Sequence, residues 1–408
     1  KQIQPLLEDI NRLSTKSFLQ SIGVHILLNG ETEESLGKVI SQIYQKTSRT
    51  TFNIIKNEDI EQILPIGSAR SVLQKELGHK MDMVENSIVW ILDDDMRIPE
   101  ISERYLTWLP QFKSKGIDVL IGNFEGGSPN PPAHGIRVQL NDLLHNLIWF
   151  DGLNDNDELP GRSAANASFR AKYPDYYYDL SRKHIEHLNE PYWVIPSFKG
   201  ESVLEARIRV VDNLDKILTG EPFLRPLIVS VPSNPIDASI PSCNRGGNTF
   251  VLNSKALTLT PNAVLLSNGT ENRRSDMIWA IINRYYHQLN IRAVSFPVYH
   301  NRYLNINTEI NLEKTVGEIR GSALYAALQS HFDLIPNSSW NFLVDECDTI
   351  HKLYQEYIER RLTLYEKNFK ACNELLDQLD SDYSTLGKEI TDFTMKVRKW
   401  VSLSNLEN

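Results

Sequence analysis

The chain has 408 residues, enough for two or three domains at roughly 150 residues each. Its 43 basic and 52 acidic residues give a net charge of −9, which argues against general nucleic-acid or anionic-membrane binding, because both rest on basic surface. With 41% hydrophobic residues, 20 Gly and 19 Pro, the composition is that of a globular protein and excludes a collagen-like or low-complexity chain. Cys243, Cys347 and Cys372 lie far apart, so neither a zinc site nor a disulfide framework is expected, and a reducing, cytoplasmic compartment fits best. No apolar run approaches the roughly 20 residues of a membrane span. No signal-peptide pattern follows Lys1, and whether a domain, anchor or tag precedes it stays open.

Residues 1–20 read as a helical lead-in. Ser21–Leu28 is a β-rich apolar run closed by Asn29-Gly30, and 31–45 follows with helical spacing at Leu36, Val39, Ile40 and Ile43. Thr51–Ile55 predicts a second strand, Gly67–Leu77 a helix, Ser87–Leu92 a third strand and Ile117–Gly122 a fourth. Alternation of this kind predicts a parallel α/β sheet with both faces covered and ligands at the carboxyl ends of the strands. Two of those ends are acidic, at 57–59 and at 93–95.

Residues 126–135 form a turn-rich loop, and 171–193 is rich in tyrosine and polar residues. Strand pattern resumes at Leu227–Val231 and Thr249–Leu252. A helix is expected over Asp276–Leu289 and a strand over Ile291–Val298, which leads to His300. Apolar residues from Ile350 to Leu379 recur every three to five positions and predict a long amphipathic helix. A shorter stripe from Leu386 to Trp400 completes an expected helical hairpin or bundle.

Three consecutive carboxylates after an apolar strand repel one another unless a cation or donors compensate. Two of them one residue apart can offer oxygens to one hard cation, Mg²⁺ or Mn²⁺. The plainer reading of Asp93-Asp94-Asp95 is a solvated turn or an acidic helix cap. The wider pattern is similar to the GT-A glycosyltransferases, family-2-like and D-x-D-containing. It rests on SIGVHILLNG (21–30), NIIKNED (53–59), GSARSVLQKELG (67–78), IVWILDDDMRI (88–98), RGGNTFVLNSKAL (245–257) and residues 273–302. The resemblance covers roughly 20–305, with an unmatched stretch at 150–225.

That resemblance implies a mixed sheet flanked by helices over 21–310 with an insertion at about 150–225, and the helical spacing beyond it marks a separate helical region at 338–408. It also implies a metal-dependent transferase that moves a sugar from a nucleotide-diphosphate sugar, a UDP-sugar first of all, to an unknown acceptor. Asp93 and Asp95 would be the metal pair, joined by His300, with Mn²⁺ or Mg²⁺ as the ion. Asn29, Asp59 (or Asn57 or Glu58), Arg70, Asp93, Asp94, Gly246, Gly247, Arg273 and Arg274 would line the nucleotide sugar. Asp276 would be the general base of an inverting, non-processive transfer. Here Ser275-Asp276 stands where the family carries an acidic pair, and no Q-x-x-R-W motif follows.

Each residue also has a simpler role. Asp276 suits a helix N-terminus, Gly246-Gly247 a turn, and His300 a partly buried histidine. Tyr176, Tyr177 and Tyr178 can stack on a sugar or cover a core. His184 and His187 read as a solvated helix face. Two other functions fit the acidic strand end. One is a metal-dependent nucleotidyltransferase or phosphohydrolase. The other is a non-catalytic scaffold whose C-terminal helices hold a partner or a second copy.

Overall fold

The computed structural model describes residues 3–30, 32–43, 49–57, 63–80, 87–100, 103–127, 144, 147–160, 200–212, 226–227, 233–243, 249–259, 265–267, 270–300, 312–334 and 344–381. The chain forms two compact units. The first comprises Lys1–Gly126, Leu227–Tyr303 and Asn337–Asn341, and the second Gly127–Pro226, Leu304–Pro336 and Phe342–Asn408.

The first unit opens with α1 (Ile3–Ser14), β1 (Ile22–Leu28), α2 (Glu33–Ile43) and β2 (Thr50–Lys56). β1 and β2 pair in parallel, in register from Ile22↔Thr50 to Leu28↔Lys56. Val24 and Ile26 alternate onto one face and bury against Leu7 of α1 and Leu36 of α2. The lead-in helix is therefore core: Leu6, Leu7 and Leu13 are all buried. Next come α3 (Ile66–Gly78), β3 (Val89–Leu92), β4 (Met96–Arg97), α4 (Glu103–Leu106), α5 (Pro110–Ser114) and β5 (Val119–Gly127). α3 packs against β1.

The larger sheet is mixed, in line with the fold class expected from the resemblance, and not the parallel sheet that the local alternation of strands and helices predicted. Among the described residues β1 and β2 pair only with each other, and the larger sheet has the order β3-β8-β5-β11-β4. Here β8 is Thr249–Leu252 and β11 is Ile291–His300. β3, β5 and β11 point the same way, and β8 runs antiparallel between β3 and β5. β4 reverses after the acidic turn and pairs antiparallel with β11. The short β6 (Pro226–Leu227) and β7 (Ile240–Pro241) add to β5 and β11 respectively. The four early strands are separated because β8 takes the place beside β3 that local alternation assigns to an earlier strand.

One face of this sheet, with Leu120, Val251, Val294 and Val298, packs on Ile98, Tyr105, Leu109 and Phe112 and on Leu6 and Leu13 of α1. Phe250 points to the opposite face, as alternation requires. There it meets Trp279 of α8 (Ser275–Tyr285), with ring centroids 4.9 Å apart. Two small elements precede α8: α7 (Ser254–Leu257) and the hairpin β9 (Leu265–Ser267)–β10 (Thr270–Asn272).

The amino edge of the sheet is tied by Asp118. Its Oδ1 accepts from Asn253 Nδ2 at 2.9 Å and its Oδ2 from the Asn290 backbone N–H at 2.9 Å. Its own N–H donates to Asn290 O, and its carbonyl accepts from Asn253 N–H. One side chain thus joins the start of β5, the end of β8 and the start of β11.

In the second unit, residues 147–160 pack on α6 (Val203–Val211) around Phe150, Leu159, Val203 and Ala206. The buried Glu201 accepts two bonds of 2.8 Å from Arg209. α9 (Leu312–Leu334) packs against α10 (Val344–Ser381), and the Ser330 and Tyr357 hydroxyls meet at 2.6 Å. The C-terminal helices do pack together, but α10 finds its partner before it in the chain. The 386–400 stripe lies outside the described residues, as do Tyr176–Tyr178, His184 and His187. Among the described residues no helix is long and apolar enough to cross a membrane.

His25 on β1 lies 3.2 Å from the Asn53 amide across the strand pair. Burial first, and then the charge of Lys80, lowers its pKa below 6.5. The unfolded chain therefore takes up this proton more readily than the native one, and stability falls as pH drops below about 6.5. We expect His25→Gln to lose less stability than the wild type between about pH 7 and pH 5, read from urea midpoints at each pH. Parallel pH profiles for the two proteins would contradict this.

Candidate functional site at the carboxyl edge of the sheet

β3 ends at Leu92 and the chain turns tightly through Asp93-Asp94-Asp95, with Met96 N–H donating to Asp93 O at 3.2 Å. Arg70, in the second turn of α3, reaches this turn. Its Nη2 donates to both Asp93 oxygens, at 2.9 and 3.1 Å. The Arg70 side chain is 8% exposed and that of Asp93 22%. This is a partly desolvated ion pair, stronger than a surface one. Asp94 is exposed as a residue. Protein packed around its carboxyl, then the like charges of Asp95 and Asp93, raise its pKa above the ordinary 3.8.

Three further segments arrive at the same edge. Leu92 pairs with Thr249, so β8 begins beside the acidic turn. Gly246 and Gly247, just before it, lie outside the described residues, as does Asp59. Met96 pairs with His300, which brings the backbone of His300 next to Asp95. α8 leads into β11 through a short loop. Its Asn283 carbonyl accepts from Leu289 N–H near the amino edge, while Trp279 stacks on Phe250, opposite Ile91 of β3. The first turn of α8, with the half-buried Asp276, therefore lies toward the carboxyl edge. Arg274 precedes it at φ 73°, a left-handed turn uncommon outside glycine, and its Nη1 lies 3.8 Å from Met277 Sδ. Arg273 is exposed.

Asn29 closes β1 and bonds to the loop before α3. Its amide donates to Leu64 O at 2.9 Å and accepts from Leu64 N–H at 2.6 Å, which pins the loop that leads into α3. Gly30 beside it has φ +88°, and an added Cβ would lie 3.1 Å from Ile63. Ile63 and Ile66 are left exposed here, at 70% and 51%.

Sequence reasoning passed over Asp9. This buried residue of α1 accepts from Arg97 Nε at 2.7 Å, Arg97 Nη2 at 3.1 Å and Ile98 N–H at 2.9 Å. It fixes the strand that leaves the acidic turn. Arg12, three residues on, pairs with it at 3.3 Å, but Arg97 and Ile98 lie almost ninety positions away, and no local signal marks that contact.

Hard carboxylate oxygens suit Mg²⁺ or Mn²⁺, and a divalent cation would offset the mutual repulsion of neighbouring carboxylates. The donor set therefore fits such an ion at the acidic turn. Among the described residues, no three His, Cys, Asp or Glu side chains already converge as a ready-made metal cage.

No family model, curated protein or solved structure matches the chain.

Removing a buried ion-pair partner leaves the other charge uncompensated and typically costs about 3 kcal/mol. We expect Asp9→Ala to destabilise the first unit by about that much, discounted to about 2 kcal/mol because Arg97 is one-third exposed. Urea unfolding measures this, and a loss below about 0.5 kcal/mol would reject the anchoring role.

Proposed function

We propose that the chain is a metal-dependent glycosyltransferase that uses a nucleotide-diphosphate sugar, a UDP-sugar foremost. The reading is supported above all by one placement. The acidic turn, the start of β8, the end of β11 and the first turn of α8 share the carboxyl edge of one sheet, where α/β folds bind ligands. The GT-A resemblance of the sequence draws on those same four segments.

In this reading the acidic turn holds Mn²⁺ or Mg²⁺, with Asp93 and Asp95 as the pair the resemblance assigns and His300 approaching from β11. The ion supplies charge neutralisation for the departing diphosphate. Asp276 accepts the proton of the acceptor hydroxyl as it attacks the anomeric carbon, and that carbon is inverted. Arg273 and Arg274 offer cations to the phosphates, and Gly246-Gly247 lets the backbone approach the sugar.

The test is a thermal-shift screen of nucleoside-diphosphate sugars with and without Mn²⁺. We expect at least one of them to stabilise the protein by about 2.7 kcal/mol at a hundredfold excess over its Kd, with the shift abolished by EDTA. Asp276→Asn should then lower kcat by about 10²–10³ with donor affinity unchanged. The absence of any stabilising sugar nucleotide, or pyrophosphate exchange in place of sugar transfer, would overturn the reading.

A further inference from the structure

In the second unit, α6 is apolar on two faces. Its inner face, with Val203 and Ala206, is wholly buried. Its outer face carries Leu204 and Ile208, one turn apart and 42% and 49% exposed, and Val211 continues the stripe at helical spacing. The inner face already supplies what so short a helix gives to a core. A helix that is apolar on both sides is ordinarily covered on both.

Charge of one sign rims this stripe. In the described segments 147–160 and 200–212 the bases are Arg207 and Arg209, and both are ion-paired, to Asp155 at 3.2 Å and to Glu201 at 2.8 Å. Asp157, Glu158, Glu205 and Asp212 are exposed, and none of them has a basic partner among the described residues. Glu205 and Asp212, two turns apart, follow one side of the stripe. Glu205 accepts from Ser202 N–H at 2.8 Å and Ser202 Oγ at 2.9 Å, which fixes its carboxylate in place. The loop with Asp157 and Glu158 lies at the head of the helix, where Asp155 O accepts from Leu204 N–H at 3.1 Å and Asp157 O from Val203 N–H at 2.9 Å.

From this juxtaposition of an exposed aliphatic stripe and an acidic rim we infer that the outer face of α6 docks a lysine- or arginine-bearing amphipathic helix of a partner protein. The partner's apolar side covers Leu204 and Ile208, and its basic flank meets Glu205 and Asp212. Charge decides among the possible occupants. An anionic membrane or a nucleic acid would meet its own sign of charge here. A second copy docked by the same face would bring two acidic rims together. The stripe spans about two turns, roughly 10 Å, so the contact is small and the association transient. This surface is independent of the cation site proposed above.

The test uses the full chain and a fluorescein-labelled peptide of about 18 leucine and lysine residues arranged as an amphipathic helix, with binding read by fluorescence anisotropy. It should bind at least about tenfold more tightly than a peptide of the same composition scrambled to break the stripe, or one with glutamate in place of lysine. Leu204→Ser/Ile208→Ser should weaken binding about tenfold. Glu205→Gln/Asp212→Asn should weaken it about fivefold and reduce its salt dependence, and a glutamine at 205 can still cap Ser202. Both variants should melt within about 3 °C of wild type, since all four side chains are exposed. A wild type that binds no peptide, three peptides that bind alike, or either variant binding like wild type would overturn the inference. So would a dimeric wild type whose Leu204→Ser/Ile208→Ser variant sediments as a monomer, which would give the face to a second copy. A larger loss of melting temperature in that variant would assign the face to the chain's own packing and overturn the inference as well.

Discussion

The arrangement of the first unit depends on β8 running against its neighbours. A strand that enters between β3 and β5 from the carboxyl edge sets its first residue, Thr249, beside Leu92 at that edge. A parallel strand in the same place would set it at the other end. The reversal also sets Phe250 against Trp279, and that contact turns the start of α8 toward the carboxyl edge. At the amino edge, Asp118 makes the order hard to exchange. Its carboxylate and peptide groups hold β5, β8 and β11 together, and a shift of register in any one of them would leave buried polar groups unpaired.

Charge organises the opposite edge. The acidic turn is held from two sides. Arg70 grips Asp93 from α3, and Asp9 grips Arg97 and Ile98 from α1. Both are contacts between segments far apart in sequence, and both are partly or wholly withdrawn from water, where charge-assisted bonds count most. Between them stand Asp94 and Asp95. A turn built this way keeps its carboxylates close together against their own repulsion.

The second unit shows how burial hides a helix. α9 is buried over most of its surface from Ile319 to Phe332, and it carries Gly317, Gly321, Ala323, Ala326 and Ala327. Small residues let α10 approach closely, yet they leave little contrast between one face and another. A period of 3.6 residues is visible only when one side of a helix is wet and the other dry. α10 has such a contrast and its apolar stripe is plain. α9 does not, which is why the hairpin was expected between α10 and the stripe that follows it.

The sequence alone determined the local elements whose signal is periodic. β1, α2, β2, α3, β3, β8 and β11 lie within a few residues of where apolar alternation and helical spacing put them. It also marked the acidic turn, because three carboxylates at the end of an apolar strand are conspicuous without any fold. Asn29 at the end of β1 and Arg70 within α3 stood out through the resemblance, but their partners did not. The tertiary structure decided what touches what: that β8 is antiparallel, that β1 and β2 pair apart from the larger sheet, that Asn29 holds Leu64 and that Arg70 neutralises Asp93. Asp9 and Asp118 drew no notice in the sequence, since a lone acid has no period and its partners are scattered along the chain. Periodicity is a property of neighbours in sequence, whereas strand order and ion pairing are settled by competition among distant segments for the same buried positions.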